Sequence, residues 1–518
     1  LLCHDLLFAL PKAQVCGPTN QIITSIAYDS RRVQPGSLFV AIKGSHTDGH
    51  NYLAQAVAAG ASAIVVDARF WNQLAKPPFA AENLTQLVVP DSRVALAPLA
   101  AAFYHYPAQS LGMVGVTGTK GKTTTTTLVS AALEGGGHST GLISTVNLKI
   151  GDQFLPNQLR QSTPEALEVQ SLLSKMVTAN CTYAVLEASS HALAADWDRL
   201  AKCAFDVAVF TNVTHEHLDY HGTLEAYRQA KTRLFAMLGE ESSSSLAFKK
   251  KKFAIVNADD PFHQLFLATA PANAQRLTYA IHAPADLRAF DLELAPNKTK
   301  LRVTTPWGTS SLNLQLPGPF NVLNALAALS VALTQNVPLD QAIAALEKVK
   351  GVQGRMEYIE QGQPFGVLVD YAHNPDSFTQ VMQMLRPLTK GRMIAVFGSA
   401  GERDRAKRPI QGQIAAKFCD LLILTDEDPR GEDSLKILQE IAAGAEQAGK
   451  KLGKGYLIIP DRREALCSAF AQAQAGDLVL LLGKGHEGSI EYATTKIPWN
   501  EAEEARAILA ELGFKQTA

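Results

Sequence analysis

Short apolar runs that end in polar residues recur along the whole chain. Before Pro107 come "SLFVAIKG" and "ASAIVVD", separated by the helical "NYLAQAVAAG". That alternation predicts a small α/β unit. From Leu111 the order is strand, glycine turn and helix, followed by the strands "YAVLEASS", "DVAVFTNVT" and "KFAIVNADD". Continuous apolar runs alternating with helices predict a parallel sheet covered on both faces. A third set begins near Gly351 with "FGVLVDYAH", "RMIAVFGSAG", "DLLILTDEDP" and "DLVLLLGKGHE". Open α/β sheets bind ligands beyond the carboxyl ends of their strands, so these polar tails are where chemistry is expected.

A chain of 518 residues is too long for one core and fits about three domains. Hydrophobic residues at 47% and charged residues at 19% supply ample material for burial. Lys and Arg (48) nearly cancel Asp and Glu (49), which argues against bulk electrostatic binding of nucleic acid or anionic membrane. A charged substrate must be held by local sites. Cys3, Cys16, Cys181, Cys203, Cys419 and Cys467 are scattered without a CxxC pair and read as small buried hydrophobes in a reducing compartment. The opening "LLCHDLLFALPKAQVCG" has no basic region or cleavage signal, and no run is long enough for a membrane helix. A cytoplasmic, monomeric protein is expected.

The glycine turn is "LGMVGVTGTKGKTTTT", Leu111 to Thr126. A standard P-loop needs glycine where Val116 stands. What remains is Gly118-Thr119-Lys120-Gly121-Lys122-Thr123 between a strand and a helix. Its glycines let backbone N–H groups approach phosphate, and the helix N-terminus favours negative charge. Lys122 can reach β/γ-phosphates and the Thr123 hydroxyl suits Mg²⁺. Glu187, ending the strand in "LEASSH", suits Mg²⁺ too, although alone it could cap a helix. "TNVTHEHLDYHG" places His215, His217, Asp219 and His221 close together, but the spacing fits neither HExxH nor a zinc finger. Lys231, in the helical "EAYRQAKTRLF", reads by itself as a surface lysine. The segment "GEESSSSLAFKKKK", Gly239 to Lys252, reads as a solvated surface loop.

Taken in order, "GTKGKTT", "EASSH", "TNVTHEHLDYHGTLEAYRQAK", "NADDP", "GPFNVLNALAA", "GRME" and "DYAHNPDS" closely resemble the Mur ligases. These are ATP-dependent amide-forming enzymes of peptidoglycan precursor synthesis, and the shortened GTxGKT loop is their own. "YDSRRVQPGSLFVAIKG", "GERDRAKRP", "DEDPR" and "GKGHE" resemble the branch that joins the third amino acid to UDP-N-acetylmuramoyl-L-alanyl-D-glutamate. The resemblance implies a three-domain α/β architecture. An N-terminal domain over 1–108 would bind the UDP moiety. A central parallel-sheet P-loop-type ATPase domain would occupy 109–349. A Rossmann-like C-terminal domain over 350–518 would close on ATP and take the incoming amino acid.

By the same resemblance Lys231 would carry a CO₂-derived carbamate, whose anionic oxygens suit Mg²⁺ where an ammonium would repel it. Lys122, Glu187, His217 and Lys231 would form the catalytic group, with Thr123, Glu187, His217 and modified Lys231 holding Mg²⁺. Asn324, Arg355, Asp370 and His373 would line ATP with the glycine turn. Ser30, Ser162, Thr163 and Ser189 match contacts to the UDP-muramoyl dipeptide. Read without that pattern, Ser30 could cap a turn and Ser162-Thr163-Pro164 could start a helix. The family's glutamine and arginine after "SSH" are here Ala195 and Trp197, with Arg199 a nearby candidate to take over.

The added residue would be a diamino acid held by Arg403, Glu427, Asp428, Pro429, Arg430, Gly483 and Glu487. In diaminopimelate-adding relatives the tetrapeptide is DNPR. A guanidinium at Arg430 pairs bidentately with a distal carboxylate, which favours meso-diaminopimelate. Glu427-Asp428 in place of Asp-Asn adds negative charge and keeps lysine or ornithine open. The competing readings are a sister ligase of folylpolyglutamate or cyanophycin type, and a non-catalytic binding protein of the same family.

Overall fold

A computed structural model describes residues 1–44, 47–72, 84–157, 161–214, 216, 218–240, 244, 246, 249 and 251–515. The chain forms two compact units. The first comprises Leu1–Arg288, Thr305–Gly308 and Leu323–Ala342; the second comprises Ala289–Thr304, Thr309–Val322 and Ile343–Ala518. Among the described residues no helix is long and apolar enough to cross a membrane.

The first unit contains two sheets. The N-terminal one runs in the order Gln14–Cys16, Thr85–Val89, Ala63–Asp67, Ser37–Val40, Ser25–Ala27. Its strands are parallel except for the antiparallel edge strand Gln14–Cys16. One face packs on the helix Ser92–Phe103, which starts because Asp91 accepts the N–H groups of Arg93 and Val94.

The second sheet carries the glycine turn. Its strands include, side by side, Phe253–Asn257, Val207–Phe210, Gly112–Thr117, Tyr183–Glu187 and Thr140–Ile143. They are parallel, as uninterrupted apolar runs require, and Val116 stands level with both Glu187 and Val209. Phe205, Phe210, Phe235 and Phe266 fill one side, and each such ring contributes about 1.5–3 kcal/mol on burial.

The second unit holds a six-stranded sheet ordered Glu357–Ile359, Gly366–Asp370, Leu478–Leu482, Met393–Phe397, Leu421–Leu424, Tyr456–Ile458. Leu478–Leu482 is inserted between Gly366–Asp370 and Met393–Phe397 and is parallel to both, so the loops after all three strands leave the same edge of the sheet. All strands expected from the apolar runs form.

One expectation is corrected. Lys249 and Lys252 are not solvated: they are 3% and 7% exposed, and both ammonium groups bind the buried carboxylate of Asp206, at 2.8 and 2.9 Å. Asp206 also accepts the N–H of Met113 at 2.8 Å, so these lysines tie their segment to the start of the central strand. A run of lysines in a low-complexity stretch does not announce a buried acidic partner some forty residues upstream, and solvation is the default.

Candidate active site

The turn after Gly112–Thr117 adopts a conformation that its glycines make possible. Gly118 (φ 150°) and Gly121 (φ 86°) lie in the region L side chains avoid. A Cβ on Gly118 would stand 1.9 Å from Thr211 Oγ1, and one on Gly121 would stand 2.5 Å from Asn324 Oδ1. The turn is fastened to the chain beyond the neighbouring strand. Thr119 N–H donates to Asn212 O (2.8 Å), Lys120 N–H to Asn212 Oδ1 (3.0 Å), and Thr211 Oγ1 to Lys120 O (2.7 Å). The helix Lys122–Gly135 then begins, with Thr123 in its first turn and Thr125 Oγ1 bound to Asn324 Oδ1 at 3.1 Å. Lys122 Nζ curls over the carbonyls of Gly118 and Thr119 at 3.0 and 2.8 Å. The Thr119 and Lys120 N–H groups are committed to Asn212, so an anion would meet the N–H groups at the start of the helix and the Lys122 ammonium, an arrangement suited to a phosphate chain.

Lys231 is not the surface lysine its local sequence predicts. On the helix Leu224–Ala236, started by the Thr223 cap, it is 1% exposed and donates to Gly118 O at 2.7 Å. Its Nζ lies 4.4 Å from the centre of the Tyr227 ring, whose hydroxyl meets Thr119 Oγ1 at 3.0 Å. Burial, followed by the nearby Lys122 charge, holds the amine well below its usual value of 10.5, which favours the uncharged form. A neutral lysine amine is a nucleophile; an ammonium is not.

Glu187, fully buried at the carboxyl end of its strand, accepts Thr145 N–H at 2.7 Å and the Thr145 hydroxyl at 2.9 Å. That hydroxyl lies 2.8 Å from Ser162 Oγ. Thr163 Oγ1 donates to Glu187 O (2.6 Å) and accepts the N–H of Ser189 (3.1 Å), while Ser189 caps the helix Ser190–Leu193. Glu187, Ser162, Thr163 and Ser189 are therefore one connected cluster. Thr145 joins it without having been visible in the sequence, because nothing in "LISTVN" marks a ligand-site threonine.

The oxygens of Glu187 and Thr123 are hard donors suited to Mg²⁺. No group of three or more His, Cys, Asp or Glu able to hold a metal occurs among the described residues. His215 and His217 lie outside the described residues.

Arg199 is 5% exposed. It binds Glu165 at 2.7 Å, Gln161 Oε1 at 3.0 Å and Thr163 O at 3.1 Å, bracing the segment that carries Ser162. Trp197 meets two guanidinium groups: Arg199 Cζ is 4.3 Å and Arg93 Cζ 4.1 Å from its ring centre. Ser30 donates to Gln55 Oε1 at 3.1 Å on the N-terminal sheet's edge.

In the second unit Asp370 accepts the N–H groups of Met356 and Ala372 at 2.9 and 2.8 Å. Burial raises its carboxyl pKa, and the Arg355 charge opposes that rise. Arg355 stacks 4.7 Å over the Tyr371 ring, and the His373 Nδ1 lies 2.9 Å from Tyr371 O. These three sequence-selected residues share one loop system. Gly483 and Glu487 follow the strand Leu478–Leu482, and Glu427 to Arg430 follow Leu421–Leu424. The two loops meet through Lys484, which is fully buried against Asp428 (2.8 Å) and Glu487 (2.7 Å). A Cβ on Gly483 would approach Glu427 Oε2 to 2.8 Å, and that buried oxygen has no hydrogen-bond partner. Pro429 O lies where a Cβ on Gly401 would collide with it. Arg430 faces Glu491, and Arg403 is exposed. Lys484 and Glu491 were not singled out from sequence, although Lys484 stands inside "GKGHE".

Three family descriptions match the chain in order: "Mur ligase family, catalytic domain" over residues 22–104, "Mur ligase middle domain" over 116–332, and "Mur ligase, glutamate ligase domain" over 354–485. A UDP-N-acetylmuramyl-tripeptide synthetase of Roseiflexus sp. (strain RS-1) is 58% identical over 511 residues, covering 99% of both chains. A UDP-N-acetylmuramoyl-L-alanyl-D-glutamate--2,6-diaminopimelate ligase of Geobacillus thermodenitrificans is 41% identical, covering 98% of this chain and 99% of its own. A solved structure of a ligase of that same name superposes with a TM-score of 0.68 at 30% identity, covering 98% of this chain and 99% of the other.

Proposed function

The chain belongs to the Mur ligase family, an ATP-dependent group, and from that premise we propose that it adds a diamino acid to UDP-N-acetylmuramoyl-L-alanyl-D-glutamate. The observation that carries the reading is the buried Lys231 amine on the Gly118 carbonyl of a phosphate-type turn, with burial lowering its pKa. No generic nucleotide site needs such a group. A carbamate formed there with CO₂ turns a buried amine into an anion that suits Mg²⁺ beside Glu187 and Thr123; His217 would complete the set. Mg²⁺ would neutralise charge on the transferred phosphate.

The backbone N–H groups at the start of the helix Lys122–Gly135 and the Lys122 ammonium hold the triphosphate in line. The D-glutamate γ-carboxylate attacks the γ-phosphorus, the bond to the β-bridging oxygen breaks, and ADP leaves. The resulting acyl phosphate is attacked by the amine of the incoming amino acid. A tetrahedral intermediate collapses to amide and inorganic phosphate, and the amine's proton is lost to solvent. A free carboxylate resists this attack because its charge repels nucleophiles and oxide is a poor leaving group. Asn324 would contribute to the nucleotide site beside the glycine turn, and the resemblance also assigns Arg355, Asp370 and His373 of the second unit to ATP. Ser30, Ser162, Thr163 and Ser189 hold the UDP-muramoyl dipeptide, with Arg199 positioning the Ser162 segment. Arg403, the Glu427–Arg430 loop, Gly483 and Glu487 receive the diamino acid, and the Arg430 guanidinium favours meso-diaminopimelate.

The test is phosphate release with ATP, the UDP-muramoyl dipeptide and a panel of diamino acids. Release with meso-diaminopimelate and not lysine supports the Arg430 assignment; the reverse refutes it. A sister ligase would ignore the UDP substrate, and a binding protein would release nothing.

A further inference from the structure

The short strands Ser489–Glu491 and Lys496–Pro498 pair as a hairpin and wall a cavity of about 400 Å³. Four of its lining side chains are ionic: Glu402, Arg430, Glu491 and Lys496. Glu491 is fixed by its backbone. Its N–H donates to Asp428 Oδ1 at 2.9 Å and its carbonyl accepts Arg430 N–H at 2.9 Å. Arg430 is held in a left-handed conformation (φ 54°) by that contact. The Glu491 carboxylate then lies between two cations. Oε2 is 3.6 Å from Arg430 Nε, and Oε1 is 3.6 Å from Lys496 Nζ. Both distances are within ion-pair range, so the carboxylate is shared between the two cations.

We propose that Glu491 is a specificity-determining residue of the amino-acid pocket, competing with the distal carboxylate of the incoming amino acid for Arg430 and offering a counter-charge to a distal ammonium. The inference rests on the assignment of this pocket to the diamino acid. A substrate ending in a carboxylate must draw Arg430 away from Glu491, and Lys496 is placed to receive the displaced carboxylate. A substrate ending in an ammonium meets Glu491 and Glu402 as counter-charges, with Arg430 and Lys496 already paired to Glu491. Arg430 alone therefore does not set the preference; the balance between Glu491 and Lys496 does.

The experiment measures kcat/KM for meso-diaminopimelate and for L-lysine by phosphate release at saturating ATP and UDP-muramoyl dipeptide. Glu491→Gln keeps both backbone hydrogen bonds and removes the competing charge. It is expected to raise the diaminopimelate-to-lysine ratio about tenfold. Lys496→Met leaves Glu491 to Arg430 alone and is expected to lower the ratio. A ratio unchanged in Glu491→Gln, equal losses on both amino acids, or shifts of the same sign in the two variants overturns the inference. Wild-type protein silent with every diamino acid overturns the ligase reading and this one with it; an active wild type with an unmoved ratio overturns this one alone.

Discussion

Lys484 Nζ lies 2.8 Å from Asp428 Oδ1, with the lysine fully buried and the aspartate side chain 9% exposed. This contact crosses from the loop after Leu478–Leu482 to the loop after Leu421–Leu424, and the same ammonium holds Glu487. The added negative charge of the Glu427-Asp428 pair is thereby half answered within the protein. Asp428 is thus ion-paired within the protein, sharing the Lys484 ammonium with Glu487.

Lys484→Met should remove that compensation and leave two carboxylates facing each other without a cation. Breaking a buried pair of this kind costs about 3–5 kcal/mol. Thermal unfolding should show the loss, and KM for the diamino acid should rise while KM for ATP stays put. Equal changes in both constants would show that Lys484 does not act on the amino-acid loop.

Lys231→Ala should abolish phosphate release, and a short carboxylic acid should restore part of it by standing in for the carbamate. The unmodified protein also carries a pH signature. Because the folded amine sits below 10.5, the unfolded chain binds more protons, so stability rises with pH across the window beneath 10.5. The slope approaches about 1.4 kcal/mol per pH unit. Denaturant titrations under CO₂-free buffer should lose that component in Lys231→Met.

Trp197→Arg installs the arginine found at this position in the family, and it should destabilise this chain. Arg93 and Arg199 flank the Trp197 ring at 4.1 and 4.3 Å. A third guanidinium replaces two attractive contacts, each worth about 0.5–2 kcal/mol, by repulsion. Trp197→Phe should retain most of the stability. A Trp197→Arg protein melting at the wild-type temperature would contradict a stabilising role for these two contacts.

Asp206→Asn leaves Lys249 and Lys252 buried without their anion. Burial already lowers the Lys249 pKa, and Asp206 is what opposes that shift. The expected loss is about 3–5 kcal/mol by chemical denaturation. A neutral effect would mean that both ammonium groups reach solvent.

The apolar runs determined the strands and their parallel pairing, because a strand buried on both faces has no freedom to be polar. The glycine turn was equally legible, since Gly118 and Gly121 occupy backbone geometry that other residues avoid. Motif order carried the family. What the sequence left undecided was the environment of single charges. Lys231 reads as a surface lysine until its helix turns it onto the Gly118 carbonyl. Lys249 and Lys252 read as solvated until Asp206 is seen beneath them. The reach of Arg430 depends on Glu491, sixty-one positions further along the chain (430 to 491). Apolar periodicity is local and survives in one dimension; the free energy of a charge depends on which distant partners the fold brings within a few ångströms, and only the tertiary structure decides that.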